Sequence, residues 1–192
     1  KYSSPVQVPS PGPGTTTWQT GVGKFCGGDS NMYAINTDNE LWGWGENERG
    51  ALGLNESSPG AHKSSPVQIP GSWSFIEGGG NGGLAFGIKT DGTSWSWGYN
   101  NYGQLGQNTG GPGQGLSSPV QLTGTWTKFV QGGFSSYGFK GTDLYAWGPN
   151  SNGILGQNDQ TNRSSPTQIP GTWEDITQAG EAVWATQIGD PS

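Results

Sequence analysis

The chain has 192 residues, a formal charge of −6 at neutral pH and a sequence pI near 4.5. Only 29% of its residues are hydrophobic and 11% charged, while Ser, Thr, Asn and Gln together make up a third. No apolar run approaches the ~20 residues of a membrane-spanning helix, two arginines are too few for a nucleic-acid footprint, and Cys26, standing alone, makes no internal disulfide.

The chain opens with the phrase Ser3-Ser4-Pro5-Val6-Gln7, which recurs at Ser64, Ser117 and Ser164. A Gly-(Ser/Thr)-Trp follows it at Gly71, Gly124 and Gly171. Trp-Gly comes at Trp44, Trp97 and Trp147, and Gly-x-Leu-Gly closes each unit at residues 50–53, 103–106 and 153–156. Phrases in constant order at a long period mark a repeat architecture. The division is residues 1–16 as the final strand of a preceding blade with a linker, then repeats at 17–70, 71–123 and 124–170, and a partial repeat at 171–192. Together, 1–192 reads as one propeller segment.

Within the second repeat, residues 66–69 read as a short strand ended by a Pro70-Gly71 turn, and residues 74–77 as the next strand. Residues 84–89 alternate, with Leu84, Phe86 and Ile88 on one face. Asp91-Gly92 predicts a type I′ hairpin with positive φ at both central residues, and residues 94–97 return. No stretch carries the helical period. Four short strands per fifty residues predict an all-β fold, a β-propeller of four-stranded blades, here a partial one of about 3.5–4 blades. Each blade is too small to bury its own faces, so rows of rings must meet between blades: Tyr33, Phe86, Tyr137 and Trp184 on one strand, Trp42, Trp95 and Tyr145 on the next.

The pattern Trp-Gly-x-Asn-x-x-Gly-x-Leu-Gly, met at residues 44–53, 97–106 and 147–156, resembles the repeats of the regulator of chromosome condensation family. The resemblance implies a propeller strongly and a function weakly, because that fold serves as exchange factor, ubiquitin-ligase module, adhesin and viral structural part. Family members usually carry seven blades. Three full repeats here suggest a window of a longer propeller, a half-propeller that pairs with another copy, or a ring of four blades closed by residues 5–8 against residues 173–188; contact with further protein that completes the ring is the favoured expectation. The family's exchange activity depends on a wedge-like insertion, and the longest loops, 54–63 and 107–116, carry none.

The motifs that carry chemistry elsewhere have structural readings here. Residues 78–83 satisfy Gly-x-Gly-x-x-Gly, but they precede a strand rather than open a helix. His62, the only histidine, reads as a solvated loop residue, and Cys26 as a strand-end residue without a base. Asp38, Asp91 and Asp143 lie in or beside hairpin turns, where Asp bonds its own backbone. Asn47, Asn100 and Asn150 hold one position each and are expected to bond loop backbone through their amides. Trp44, Trp97 and Trp147 are the matching structural positions. No catalytic, cofactor-binding or metal-ligating residue is predicted. The one candidate binding surface comprises Tyr99, Asn101, Tyr102 and His62.

These readings point to a protein that binds rather than catalyses. The first expectation is a structural or adhesive component of an extracellular, virion or bacterial-surface assembly. Its partners would be protein, as further blades of this or another chain, and glycan, with no nucleic acid and no membrane insertion. The alternative is an intracellular interaction scaffold, including a small-GTPase exchange factor.

Overall fold

The structure is a computed structural model that describes residues 8, 16–28, 30–79, 83–179 and 182–189. All regular structure in it is β. The strands are β1 (Phe25–Gly27), β2 (Asn31–Ile35), β3 (Glu40–Gly45), β4 (Lys63–Gly79), β5 (Leu84–Lys89), β6 (Ser94–Gly98) and β7 (Leu116–Leu122). They continue as β8 (Lys128–Gly132), β9 (Ser135–Lys140), β10 (Asp143–Gly148), β11 (Arg163–Ile169), β12 (Trp173–Ala179) and β13 (Ala182–Gln187). Each strand pairs antiparallel with its neighbour in sequence, except across two blade boundaries.

Three four-stranded blades and one hairpin result. Blade 1 is β1, β2, β3 and residues 63–72 of β4; blade 2 is residues 73–79 of β4 with β5, β6 and β7. Blade 3 is β8 to β11, and β12 with β13 forms the fourth unit. The predicted Pro70-Gly71 turn is a bend instead, inside one continuous strand. Gly71 takes a φ of 123°, open to glycine at little cost, and β4 passes from the outer edge of blade 1 to the inner edge of blade 2 without reversing.

The inner strands β1, the second half of β4, β8 and β12 lie side by side, and the hydrophobic core lies between blades rather than within them. Tyr33 of blade 1 packs with Trp73, Ile76 and Trp97 of blade 2. Phe86 of blade 2 packs with Trp126, Phe129 and Trp147 of blade 3. Tyr137 of blade 3 meets Ile176 of the last unit. β5 is buried on both faces rather than alternating, because a blade lies on each side of it.

Strand register confirms both aromatic rows. Tyr33, Phe86, Tyr137 and Trp184 share one rung, opposite Cys26, Glu77, Val130 and Thr177; Trp42, Trp95 and Tyr145 share another, opposite Gln68, Gln121 and Gln168. Burial departs from expectation in both rows: Trp42, Trp95 and Tyr145 are only half-buried, and one member of the first row is exposed. Tyr33, Phe86 and Tyr137 are buried, but Trp184 is 67% exposed: among the described residues, only blade 3 packs on the last hairpin. The 91–92 hairpin also departs from type I′: only Gly92 has positive φ, and the bonds Lys89 N to Thr93 O and Gly92 N to Lys89 O make a three-residue loop with glycine in the left-handed position. Asn39 plays the same part in blade 1.

Residues 5–7, in the strand expected to close a ring, lie outside the described residues. Val8, at its end, sits beside blade 1, where its carbonyl accepts the Trp18 indole N–H at 3.2 Å. Residues 80–82 of the glycine run likewise lie outside; Gly78 and Gly79 belong to β4.

Candidate functional site

Each full blade ends one face in a long loop between its third and fourth strands, and one asparagine locks each loop. Asn47 Oδ1 accepts the Leu52 N–H at 2.9 Å, and its Nδ2 donates to Glu56 O at 3.0 Å. Asn100 does the same with Leu105 and Thr109, at 3.0 Å each, and Asn150 with Leu155 and Asp159, at 2.9 Å each. All three are fully buried. A buried amide that satisfies both a donor and an acceptor holds an irregular loop that offers no ladder bonds of its own.

On this locked frame sit three of the four predicted surface residues. Tyr99 and Tyr102 meet edge to face at 6.4 Å, and the Arg49 guanidinium lies over the Tyr99 ring at 4.5 Å. Asn101 stands between two depressions. One, of about 490 Å³, is lined by Tyr102, Asn108, Gln114 and Asn162; the other by Glu48, Arg49, Ser57 and Tyr99. Asn101 Oδ1 accepts the Gly113 N–H at 3.2 Å, while Tyr102 is 47% exposed. The face is therefore amide-rich and nearly neutral, with two aromatic rings at its centre.

His62 does not join them. It is exposed, and its Nδ1 accepts the Asn47 backbone N–H at 3.1 Å, so the ring supports the first loop; Asn162 Oδ1 does this for Asn150 at 2.8 Å. Asp91 accepts from the Thr93 N–H and hydroxyl, and these two bonds hold its carboxyl below the usual range.

The inner strands hold a second polar group, which sequence reading did not single out. Glu77 of β4 is pushed up to about 7 by burial, against the pull of Lys128 and of the Gln131 backbone N–H. Lys128 itself bonds Asp175 of β12. Burial first, and Glu77 second, push the Cys26 thiol up, so it is a poor nucleophile. Among the described residues, no group of three or more His, Cys, Asp or Glu side chains is placed to hold a metal ion.

The Trp-Gly tryptophans reveal how blades are joined. Trp97 Nε1 donates to Ala51 O and Trp147 Nε1 to Gln104 O, each at 2.8 Å and each in the Gly-x-Leu-Gly loop of the preceding blade. Trp44, the first of the series, is only half-buried and lies 6.1 Å from Trp18.

Comparison with known proteins agrees with this geometry. The family model for the regulator of chromosome condensation (RCC1) repeat matches residues 38–82 and 143–180. Among solved structures, Prp20p from Saccharomyces cerevisiae superimposes with a TM-score of 0.72 at 18% identity, over 86% of this chain and 44% of Prp20p. Human WBSCR16 gives 0.67 at 20% identity, over 82% of this chain and 43% of that protein. The chain thus spans less than half the length of either. No curated protein sequence matches it. The motif series, the blade-to-blade tryptophan bonds and these matches together identify a β-propeller fold with repeats like those of the regulator of chromosome condensation, matched at residues 38–82 and 143–180.

Proposed function

We propose that this chain is a protein-binding propeller module that acts by recognition and not by turnover, with the loop face around Asn101 as its contact surface. The observation that carries this reading is the Tyr99–Tyr102 pair, half-exposed on the loop that Asn100 locks. Rigid aromatic anchors amid adaptable amides are what protein interfaces enrich. The relatives support it as well. Prp20p has been described with its binding to Gsp1p and to histones, and yeast RCC1 (Prp20) has been solved with Kap60 bound. They favour an interaction scaffold over the extracellular, adhesive or virion role and over a glycan partner.

The test is binding of the immobilised chain to purified Gsp1p-like GTPase and to histones, compared with a Tyr99→Ala, Tyr102→Ala double variant. Binding lost in a variant of unchanged melting temperature supports the reading. Binding that survives the double variant, or no binding to either protein, rejects this face as a site for them. Nucleotide release from the GTPase, measured in the same samples, separates plain binding from exchange.

A further inference from the structure

Blade 1 breaks the repeat at one position. In blades 2 and 3 the residue after Gly-x-Leu-Gly is glutamine, and its amide bonds the outer strand of its own blade. Gln107 Nε2 donates to Ser96 Oγ at 2.9 Å and to the carbonyls of Val120 and Gln121 at 3.2 and 3.3 Å. Gln157 Nε2 donates to Gln168 O at 3.1 Å. In blade 1 the position is Leu54, which has no donor, is half-buried and packs against the core between blades 1 and 2. A residue that breaks the local rule of its repeat marks a place to look for function.

Leu54 forms one wall of a groove of about 430 Å³ between two complete blades, with Gln68, Pro70, Lys89, Trp95 and Pro119 around it. That size falls within the roughly 300–1,000 Å³ of small-molecule pockets, which are likewise mostly apolar with a few placed polar groups. Lys89 is the one charged residue in the walls. Its ammonium stands 3.9 Å from the Trp95 ring centroid and 5.2 Å from that of Trp73, and it makes no ion pair among the described residues. Asp91, two residues on, gives its carboxylate to Thr93 instead. Gly71 leaves room for the lysine stem, since a Cβ there would stand 3.0 Å from Lys89 Cε. The two indoles hold the cation in place without neutralising it, so the complement the groove lacks is an anion.

We propose that this groove binds a small carboxylate with an apolar body, its carboxylate on Lys89 and its body against Leu54, Trp95 and Pro119. The lysine selects the head and the walls select the body. The next junction shows why the site belongs to the first. There Lys140 lies over Trp126 and Tyr145 in the same way, and Gly106 faces Pro166 as Gly53 faces Pro119. Gln107, however, puts a bonded amide where blade 1 has the apolar wall. This inference does not depend on the loop-face reading, which lies on other residues.

Titration of the full chain with naphthoate and with neutral naphthamide tests it, read from the Trp95 indole N–H resonance in NMR spectra. That resonance should shift saturably with naphthoate, and the acid should bind roughly tenfold more tightly than the amide, as a hydrogen bond to a charged group gives. Lys89→Met should abolish this preference. Leu54→Gln, which installs the residue of blades 2 and 3, should weaken both probes roughly tenfold through the lost apolar wall. Absence of a saturable Trp95 shift, or equal affinity of acid and amide for the wild type, would overturn the proposal without any variant. A preference that survives Lys89→Met, or affinities unchanged by Leu54→Gln, in variants of wild-type melting temperature, would overturn it as well.

Discussion

Trp97 donates its indole N–H to the carbonyl of Ala51, 2.8 Å away and 46 residues earlier in the chain. Trp147 repeats the bond with Gln104, across 43 residues. These are contacts between blades, so the ring that defines the repeat motif works on the neighbouring repeat. A repeat of this kind has no stability alone, because its signature residue has nothing to bond within its own unit.

Replacing Trp97 therefore tests the junction. Trp97→Ala is expected to cost about 3–5 kcal/mol, the usual range for a large buried ring. Trp97→Phe keeps much of the volume but drops the donor, and should cost about 1–2 kcal/mol. Trp44→Phe, at a half-buried position, should cost less than Trp97→Phe. Urea unfolding midpoints at constant m-value order the three, and equal costs for Trp44→Phe and Trp97→Phe would refute the inter-blade role.

Gly103 and Gly153 isolate the same junction from the backbone side. Both have positive φ, 82° and 71°, so alanine strains each similarly. Only Gly103 has a neighbour: a Cβ there would stand 2.5 Å from Ser164 Cα in the next blade, while at Gly153 it meets only Asp159 O at 3.9 Å. Gly103→Ala is expected to destabilise by about 1–3 kcal/mol more than Gly153→Ala, as overpacking does. Thermal melts of the pair read the difference directly.

Glu77 predicts an unusual pH profile. Its folded pKa near 7 lies above the ordinary 4.5, so between those values the folded chain binds more proton than the unfolded one. Its contribution to stability is favourable below about pH 4.5, declines as pH rises through the window, and is lost above about 7. The full shift corresponds to at most about 3 kcal/mol, and the half-buried setting of Glu77 lowers that. Glu77→Gln should be more stable than wild type at pH 8 and show a flatter profile between pH 4.5 and 7. Denaturant titrations at both limits measure it.

Cys26 should be inert while the chain is folded. Burial raises its thiol pKa, and the neighbouring Glu77 raises it further. Alkylation by iodoacetamide at pH 8 is expected to be at least about tenfold slower in buffer than in denaturant, since only the thiolate reacts. Equal rates would show that Cys26 is accessible as thiolate in the native state.

Periodicity was enough to read the fold. Four phrases in constant order located the repeats, and alternation within them located the strands, because each phrase does one local job: a turn, a strand rung or a loop lock. Asn47, Asn100 and Asn150 were legible for that reason, since their bonding partners lie five and nine residues away. Three things were decided only by tertiary structure. Trp184 has the rung of a buried ring but stays in water, because burial there depends on a neighbouring blade and not on the residue's own strand. His62 and Tyr99 are both loop residues, yet the first supports a backbone amide and the second meets Arg49 and Tyr102. Glu77 gave no sign in the sequence, since a lone carboxylate acquires a raised pKa only when packing of the inner strands buries it, against the pull of Lys128 some 50 residues away. Local bonding is written in spacing; burial and charge coupling arise only when separate blades pack.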